Sequence, residues 1–161
     1  MITGKINIPR NILSRIKRLP YEQVPHINIP KSWKLYPKQC LDHYEYGSAK
    51  NEIEWYQHFR PQGATKVGYL FTKLLSGNIV PPHRDHFKNY MRYHGLKHKN
   101  SIKRRLVFLE DWKNGHYFQV NERVFIKWKQ GEWVEWKQKD IHLGGNIGTC
   151  PRYVLQITYS K

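Results

Sequence analysis

Two histidines and one aspartate are spaced so that they could bind a single metal ion. His83-Arg84-Asp85 follows Pro81-Pro82 at the end of an apolar stretch that predicts a strand. Because side chains at positions i and i+2 of a strand point to the same side, His83 and Asp85 can reach one ion together. A third ligand must come from another strand, and His142 lies in such a context near the end of the chain. The three residues predict a metal site with coordination positions left open for small molecules.

An arginine ten residues beyond His142 could bind a small anion near that metal. Arg152 begins the last predicted strand, where it shares one face with Val154 and Gln156. A guanidinium can hold a carboxylate through two parallel hydrogen bonds, which a lysine does less well. Two histidines and one carboxylate also form the set that binds Fe(II) in non-haem oxygenases. The pattern therefore favours an iron enzyme with a dicarboxylate co-substrate.

The stretch from Tyr69 to Tyr159 resembles a small Fe(II)- and 2-oxoglutarate-dependent oxygenase. The resemblance covers somewhat more than half of the chain and rests on His83-Arg84-Asp85, His142 and Arg152 in the order that the family uses. The texture of Arg105-Leu106-Val107 and of residues 142–146 is similar to the aspartyl/asparaginyl and prolyl hydroxylase-like branches. Small single-domain members are often encoded by phages, so a viral origin is a further expectation.

The resemblance implies a fold, an activity and a set of site residues. It implies a double-stranded β-helix in which His83, Asp85 and His142 bind Fe(II), while 2-oxoglutarate chelates the metal and pairs with Arg152. Arg105 is expected to help bind 2-oxoglutarate, although Val107 stands where the aspartyl branch has a histidine. Tyr69 is expected to donate a hydrogen bond to the same co-substrate. The implied reaction is hydroxylation of a macromolecular substrate, with conversion of 2-oxoglutarate and O2 to succinate and CO2.

The elements that must position these residues are short strands after a helical beginning. From Lys66 onward, turn signals such as Asn114-Gly115 separate runs of alternating or wholly apolar residues. This pattern predicts a mainly β fold, a β-sandwich or a jelly roll, with short N-terminal helices over 11–19 and 51–60. Four prolines favour an extended segment over 20–40. Without a repeat or a linker, residues 1–161 are expected to form a single domain, with a preface over 1–65 and a jelly-roll core over 66–161.

Composition narrows the class of protein. The 161 residues have a mean hydropathy of −0.77, no apolar run long enough to span a membrane, no secretory signal and two cysteines. These features argue against a membrane protein and a disulfide scaffold and predict a soluble cytoplasmic domain.

The charge of the chain predicts an anionic partner. The net charge is +16, and residues 84–105 carry eight basic residues against one acid, Asp85. Aromatic residues stand between these charges, and a segment of this length at the mouth of a jelly roll is commonly a binding loop. We therefore expect the segment to bind the oxygenase substrate, and that substrate to be acidic, either a protein surface or a nucleic acid.

Two other functions fit parts of the pattern. In the first, the chain is a basic nucleic-acid-binding β-domain in which the His83 to Asp85 spacing is coincidental. In the second, it is a cupin-like metal protein, since His142 followed by Asn146 resembles the second half-motif of cupins. A cupin would have two histidines and a glutamate in its first motif, where this chain has His83-Arg84-Asp85.

Overall fold

Two antiparallel β-sheets form the frame of the molecule. The computed structural model describes residues 1–26, 29–47, 54–99 and 101–161. Within these residues the strands are β1 (Ile2–Lys5), β2 (Glu22–Gln23), β3 (Tyr44–Tyr46), β4 (Lys66–Leu74), β5 (Asn78–His83), β6 (Ile102–Phe108), β7 (His116–Val120), β8 (Arg123–Phe125), β9 (Glu132–Lys137), β10 (His142–Asn146) and β11 (Arg152–Ser160). The helices are α1 (Arg10–Lys17), α2 (Lys88–His94) and three 3₁₀ helices, Lys31–Leu35, Lys38–Leu41 and Glu54–Phe59.

The strands divide into a major and a minor sheet. The major sheet has the order β1-β9-β6-β11-β4-β3-β2, and the minor sheet has the order β5-β10-β7-β8. Strand β11 is central in the major sheet, where it pairs with β4 from Arg152 opposite Leu74 to Ser160 opposite Lys66. The architecture confirms the predicted mainly β jelly roll with short N-terminal helices.

The major sheet is covered on both faces, so apolar residues of its central strands are buried on either side of it. On the inner face, toward the minor sheet, Val154 and Phe108 share a core with Phe118. On the outer face, Leu155 shares a second core with Ile16 of α1. The alternation predicted for β11 is confirmed, because its even-numbered residues face inward and its odd-numbered residues face outward.

The first 65 residues hold more regular structure than the sequence predicts. Helix α1 is close to its predicted position, and β1, β2 and β3 extend the major sheet at its two edges. The predicted extended segment contains two 3₁₀ helices, each of which follows a proline, Pro30 or Pro37, with φ near −55°. Of the helix predicted over 51–60, residues 51–53 lie outside the described residues, and Glu54–Phe59 forms a 3₁₀ helix.

The basic segment, residues 84–105, is not a simple loop, because it contains helix α2. Tyr90 of α2 is buried with Phe87 and Ile102, and its hydroxyl donates a hydrogen bond of 2.8 Å to the carbonyl oxygen of Lys66. Helix α2 is therefore fixed against one end of the major sheet. Among the described residues, no helix has the length and apolar character needed to cross a membrane.

Candidate metal centre and co-substrate cavity

Pairing between β5 and β10 brings the two predicted histidine ligands together. Strand β5 ends at His83 and β10 begins at His142, and the antiparallel register places these residues opposite each other. Their rings lie 4.1 Å apart between centroids. Asp85 follows two residues after the strand end and is 7% exposed. The three residues therefore meet at one edge of the minor sheet, where the end of β5 pairs with the beginning of β10.

The ligand atoms of these residues lie close enough for one ion. One nitrogen or oxygen from each of His83, Asp85 and His142 lies within 4.8 Å of the other two. Oδ2 of Asp85 is 3.7 Å from Nε2 of His142. Two atoms bound to one ion by bonds of about 2.1 Å are at most about 4.2 Å apart. Small side-chain adjustments are enough to bring all three within that limit.

A backbone carbonyl faces Nδ1 of each imidazole, which favours the form that binds a metal. Nδ1 of His83 donates to the carbonyl oxygen of Pro81 at 2.9 Å, and Nδ1 of His142 lies 3.5 Å from the carbonyl oxygen of Asp140. Because a carbonyl only accepts, Nδ1 carries the proton and Nε2 keeps its lone pair. Burial lowers the pKa of His83, and it lowers the pKa of His142 to about 3. Both rings are neutral at neutral pH, as metal ligands must be.

Two side chains of the major sheet orient the Asp85 carboxylate. Nη1 of Arg104 lies 2.9 Å from Oδ1, and Nε1 of Trp136 donates to Oδ2 at 3.2 Å. Arg104 is itself held by Gln156, whose Oε1 accepts from Nη1 at 2.9 Å. Such partners fix the direction of a ligating carboxylate and tune its affinity for a metal.

Arg152 is a buried cation without a hydrogen-bond partner for most of its donor groups. It is 3% exposed, and its Nε and Nη2 have no hydrogen-bond partner among the described residues. The guanidinium lies between the rings of Trp128 and Phe118, at 5.4 and 5.9 Å from their centroids. Burial lowers the pKa of Arg152 to about 9, so the group remains charged at neutral pH. An unpaired buried charge is costly, and an anionic ligand would offset that cost.

One cavity is lined by Arg152 and by the two candidate histidine ligands. Its volume is about 60 Å³, and its lining includes His83, His142 and Arg152. On the same measure a water molecule needs roughly 10–15 Å³, so the cavity has room for roughly four to six waters or a small ligand. A Cβ on Gly144 would stand 2.9 Å from Nη1 of Arg152, which places the guanidinium two residues along β10 from His142. Two residues of strand span about 7 Å, a separation suited to a short dicarboxylate.

Tyr69 and Arg105, which the sequence analysis assigns to the co-substrate, lie on the outer face of the major sheet, away from the cavity that Arg152 lines. Tyr69 belongs to the outer core, where its ring lies 5.1 Å from that of Tyr56. Arg105 also points to the outer face, where its guanidinium pairs with Glu135 at 2.9 Å. Because alternate residues of a strand face opposite ways, neither side chain lines the cavity on the inner face. The neighbouring Arg104 has the inward direction that was expected of Arg105.

Sequence reasoning missed Arg104, Trp136 and Trp33. Trp33, in the first 3₁₀ helix, packs edge-on against His83 with ring centroids 5.3 Å apart. The only signal for Arg104 is its even spacing from Leu106 and Phe108, which becomes informative only when the inner face of β6 is known. The sequence carries no signal for Trp33, because its 3₁₀ helix is far from the metal ligands in the sequence and meets them only in the folded chain.

Comparisons with known proteins support the fold. The structure is similar to a prolyl-4-hydroxylase from Pseudomonas putida, with a TM-score of 0.66 and 10% identity over 99% of this chain and 92% of that chain. It is also similar to an oxidoreductase of the 2OG-Fe(II) oxygenase family from Burkholderia pseudomallei, with a TM-score of 0.58 and 14% identity over 98% and 85% of the two chains. At these identities the likeness establishes a fold shared with such oxygenases and nothing finer.

A weaker likeness links the chain to cupins. The cupin domain of Schizosaccharomyces pombe Cnp3 matches with a TM-score of 0.46 and 9% identity over 74% of this chain, which spans 61% of that chain. This match supports no inference about function. No family model and no curated protein matches the sequence.

Proposed function

We propose that this protein is an Fe(II)- and 2-oxoglutarate-dependent dioxygenase that hydroxylates a macromolecular substrate. The observation that carries the proposal is a cavity lined both by the two histidines of the His83, Asp85 and His142 cluster and by Arg152, a buried cation whose Nε and Nη2 have no hydrogen-bond partner among the described residues. The first set suits Fe(II), and the guanidinium suits the far carboxylate of 2-oxoglutarate. The fold that these residues occupy is one that oxygenases of this class use.

Each residue has a defined task in this proposal. Nε2 of His83, Nε2 of His142 and a carboxylate oxygen of Asp85 hold the metal. The bound iron supplies the redox chemistry by which one atom of O2 enters succinate and the other enters the hydroxylated product, with loss of CO2. Arg152 binds the far carboxylate of 2-oxoglutarate and sets its direction in the cavity.

The walls of the cavity assist this binding by excluding water. Leu106, Phe118 and Val154 line it with apolar surface, and the polar side chains of Thr72 and Gln156 complete the lining. A charge pair between Arg152 and a carboxylate is stronger in such surroundings than in water.

The two alternatives account for less of the site. A cupin-like metal protein has no use for a buried guanidinium that faces the metal cavity. A binding domain without catalysis has no use for two adjoining imidazoles whose Nδ1 atoms are directed to backbone carbonyls. The oxygenase proposal uses both features.

Anaerobic addition of Fe(II) and 2-oxoglutarate to the purified protein tests the proposal. We expect a weak visible charge-transfer band, and on admission of O2 we expect formation of succinate. The variant His142→Ala should show neither signal, while its far-UV circular dichroism should match that of the wild type. Tight binding of Fe(II) without a band and without succinate would favour the cupin-like alternative and refute the proposal.

A further inference from the structure

A second and wider depression lies on the inner face of the major sheet, between α2 and strands β3 and β4. Its volume is about 780 Å³. The described residues that line this groove include Glu45, Leu70, Asn89, Arg92, Tyr93 and Arg104. It is more than ten times as large as the co-substrate cavity, so it has room for a second, larger ligand.

The groove leads to the candidate metal centre. Arg104 lines the groove, and its Nη1 lies 2.9 Å from Oδ1 of Asp85. The same Nη1 donates to Gln156, which lines the co-substrate cavity. Arg104 therefore links the groove to one metal ligand and to one residue of the cavity lining.

Exposed cations lie on α2, which borders the groove, and on two segments close to the metal ligands. Arg84 lies between two of the metal ligands in the sequence, Lys88 and Arg92 belong to α2, and Lys137 and Lys139 lie at and after the end of β9. Nε of Arg84 donates to the carbonyl oxygen of Lys139 at 3.0 Å, so the first and third segments adjoin. Such a concentration of one sign of charge attracts an anionic ligand.

The acidic groups described near these cations are already paired. Asp85 is buried against Arg104, and Glu45 lies 3.4 Å from Nε2 of His43. Asp140 accepts hydrogen bonds from the backbone of Lys137 and from Asn121. Of these three acids only Glu45 lines the groove, where the two cations Arg92 and Arg104 outnumber it.

The side chains in the groove favour a nucleic acid over an acidic peptide. Tyr93 is 47% exposed and stands next to Arg92 on α2, and Asn89 lies one turn earlier. Lysines and arginines bind phosphates, an exposed aromatic ring stacks on a base, and an amide can read a base edge. A peptide of aspartates and glutamates would use the charges alone.

We infer that this groove binds a single-stranded nucleic acid and presents it to the metal site. That the nucleic acid is also the molecule oxidised rests on the proposed function, whereas the binding itself does not. Binding is therefore measured on the full chain without iron or 2-oxoglutarate, by fluorescence anisotropy with labelled 12-nucleotide DNA and RNA of mixed sequence.

A pair of charge reversals locates the binding surface. The double variant Lys88→Glu and Arg92→Glu should weaken binding at least tenfold, and it should reduce the slope of log affinity against log salt by about 1.4, or roughly 0.7 for each phosphate contact. The matched control is Arg10→Glu with Arg15→Glu, which reverses the equivalent first and third-last residues of α1 on the outer face. Equal losses for the two double variants would show that binding follows net charge alone, and they would overturn the inference.

A second variant separates base stacking from charge. Tyr93→Ala should weaken binding of the oligonucleotide by about tenfold, since stacking on one aromatic ring is worth that order of affinity. The same variant should not alter binding of an abasic oligonucleotide of equal length. A poly-glutamate peptide of equal charge that binds as tightly as the oligonucleotide would identify the partner as an acidic protein and refute the inference. A Tyr93→Ala variant that binds the oligonucleotide as tightly as the wild type would also refute it.

The two proposals can fail separately. Nucleic-acid binding with no charge-transfer band would leave the inference intact and remove the proposed function. A charge-transfer band and succinate formation without oligonucleotide binding in low salt would do the reverse.

Discussion

Replacement of Arg152 by methionine should stabilise the ligand-free protein and at the same time weaken its binding of 2-oxoglutarate. The guanidinium is 3% exposed, and its Nε and Nη2 lack hydrogen-bond partners among the described residues. Methionine has a similar length and no charge, and it can pack against Trp128 and Phe118 in the same space. The variant therefore removes a buried cation without opening a large cavity.

The expected magnitudes follow from these surroundings. Replacing buried ionic groups by apolar residues of similar volume often stabilises a protein by about 1–4 kcal/mol. In a chain of 161 residues each kcal/mol raises Tm by about 2–4 °C. The lost charge-assisted pair with the carboxylate should raise the concentration of 2-oxoglutarate required for turnover by roughly 10- to 1000-fold, since each 1.4 kcal/mol is a factor of ten.

Thermal unfolding by circular dichroism and succinate formation measure the two effects. The control is Arg105→Met, because that guanidinium pairs with Glu135 on the outer face. Removal of Arg105 leaves Glu135 with Lys103 as its remaining cation, so this control should lose about 3 kcal/mol of stability. Its requirement for 2-oxoglutarate should not change. A lower Tm for ligand-free Arg152→Met, or an unchanged requirement for 2-oxoglutarate, would refute the assignment of Arg152.

Three further predictions concern the metal ligands and the outer face. His142→Ala removes one of three ligands, so Fe(II) binding measured by anaerobic titration should fall below detection; full affinity would mean that another residue is the third ligand. Arg104→Met frees Oδ1 of Asp85 and should weaken Fe(II) binding by about 10- to 100-fold, with rescue by Arg104→Lys in part; unchanged affinity would show that Trp136 alone orients the carboxylate. Burial alone would raise the pKa of Glu135, but hydrogen bonds from Tyr159 and Arg105 hold it below the ordinary value of 4.5. The contribution of ionised Glu135 to stability is therefore complete above about pH 4.5 and is lost as the pH falls through the lower folded-state pKa. In Glu135→Gln, Tm should therefore fall less steeply as the pH is lowered. If Tm falls as steeply at low pH in Glu135→Gln as in the wild type, other carboxylates are responsible for the loss of stability in acid.

The part of the candidate site that could be predicted is the part in which the spacing of residues along one strand determines which way their side chains point. His83 and Asp85 share a side because they are two residues apart, and β11 shows its phase because polar Arg152, Gln156 and Thr158 alternate with apolar residues. These residues needed no knowledge of the rest of the fold. The structure brings His83, Asp85 and Arg152 to the same interior region.

The sequence does not show in the same way which side chains of β6 point inward and which point outward. Its residues Leu106, Val107 and Phe108 are apolar on both faces because both faces are buried, so the sequence shows no alternation. The phase that distinguishes Arg104 from Arg105 is set by pairing with β11 and β9, which is a long-range property. A register change of one residue exchanges the two faces, so the sequence alone does not distinguish the outward direction of Arg105 from an inward one.

Strands β1, β2 and β3 were missed for a related reason. They contain four, two and three residues, too few to show a period. Each forms because a longer strand offers unpaired backbone groups at the edge of the sheet, as β9 does for β1 and β4 does for β3. Their position depends on that edge rather than on their own side chains.

One arginine lies on each face of the major sheet, half-buried Arg105 on the outer face and buried Arg152 on the inner face, and the two differ in whether the chain supplies a carboxylate partner. On the outer face Arg105 has a carboxylate partner within the chain, so the pair contributes to the ligand-free fold. On the inner face no such partner is found for Arg152 in the part of the chain that the structure describes, so we expect its charge to lower the stability of the ligand-free fold. A ligand that pairs with Arg152 stabilises the folded state in proportion to the logarithm of its concentration over Kd. The wild type should therefore gain more Tm on addition of 2-oxoglutarate than Arg152→Met gains, because only the wild type has the unpaired charge that the ligand neutralises.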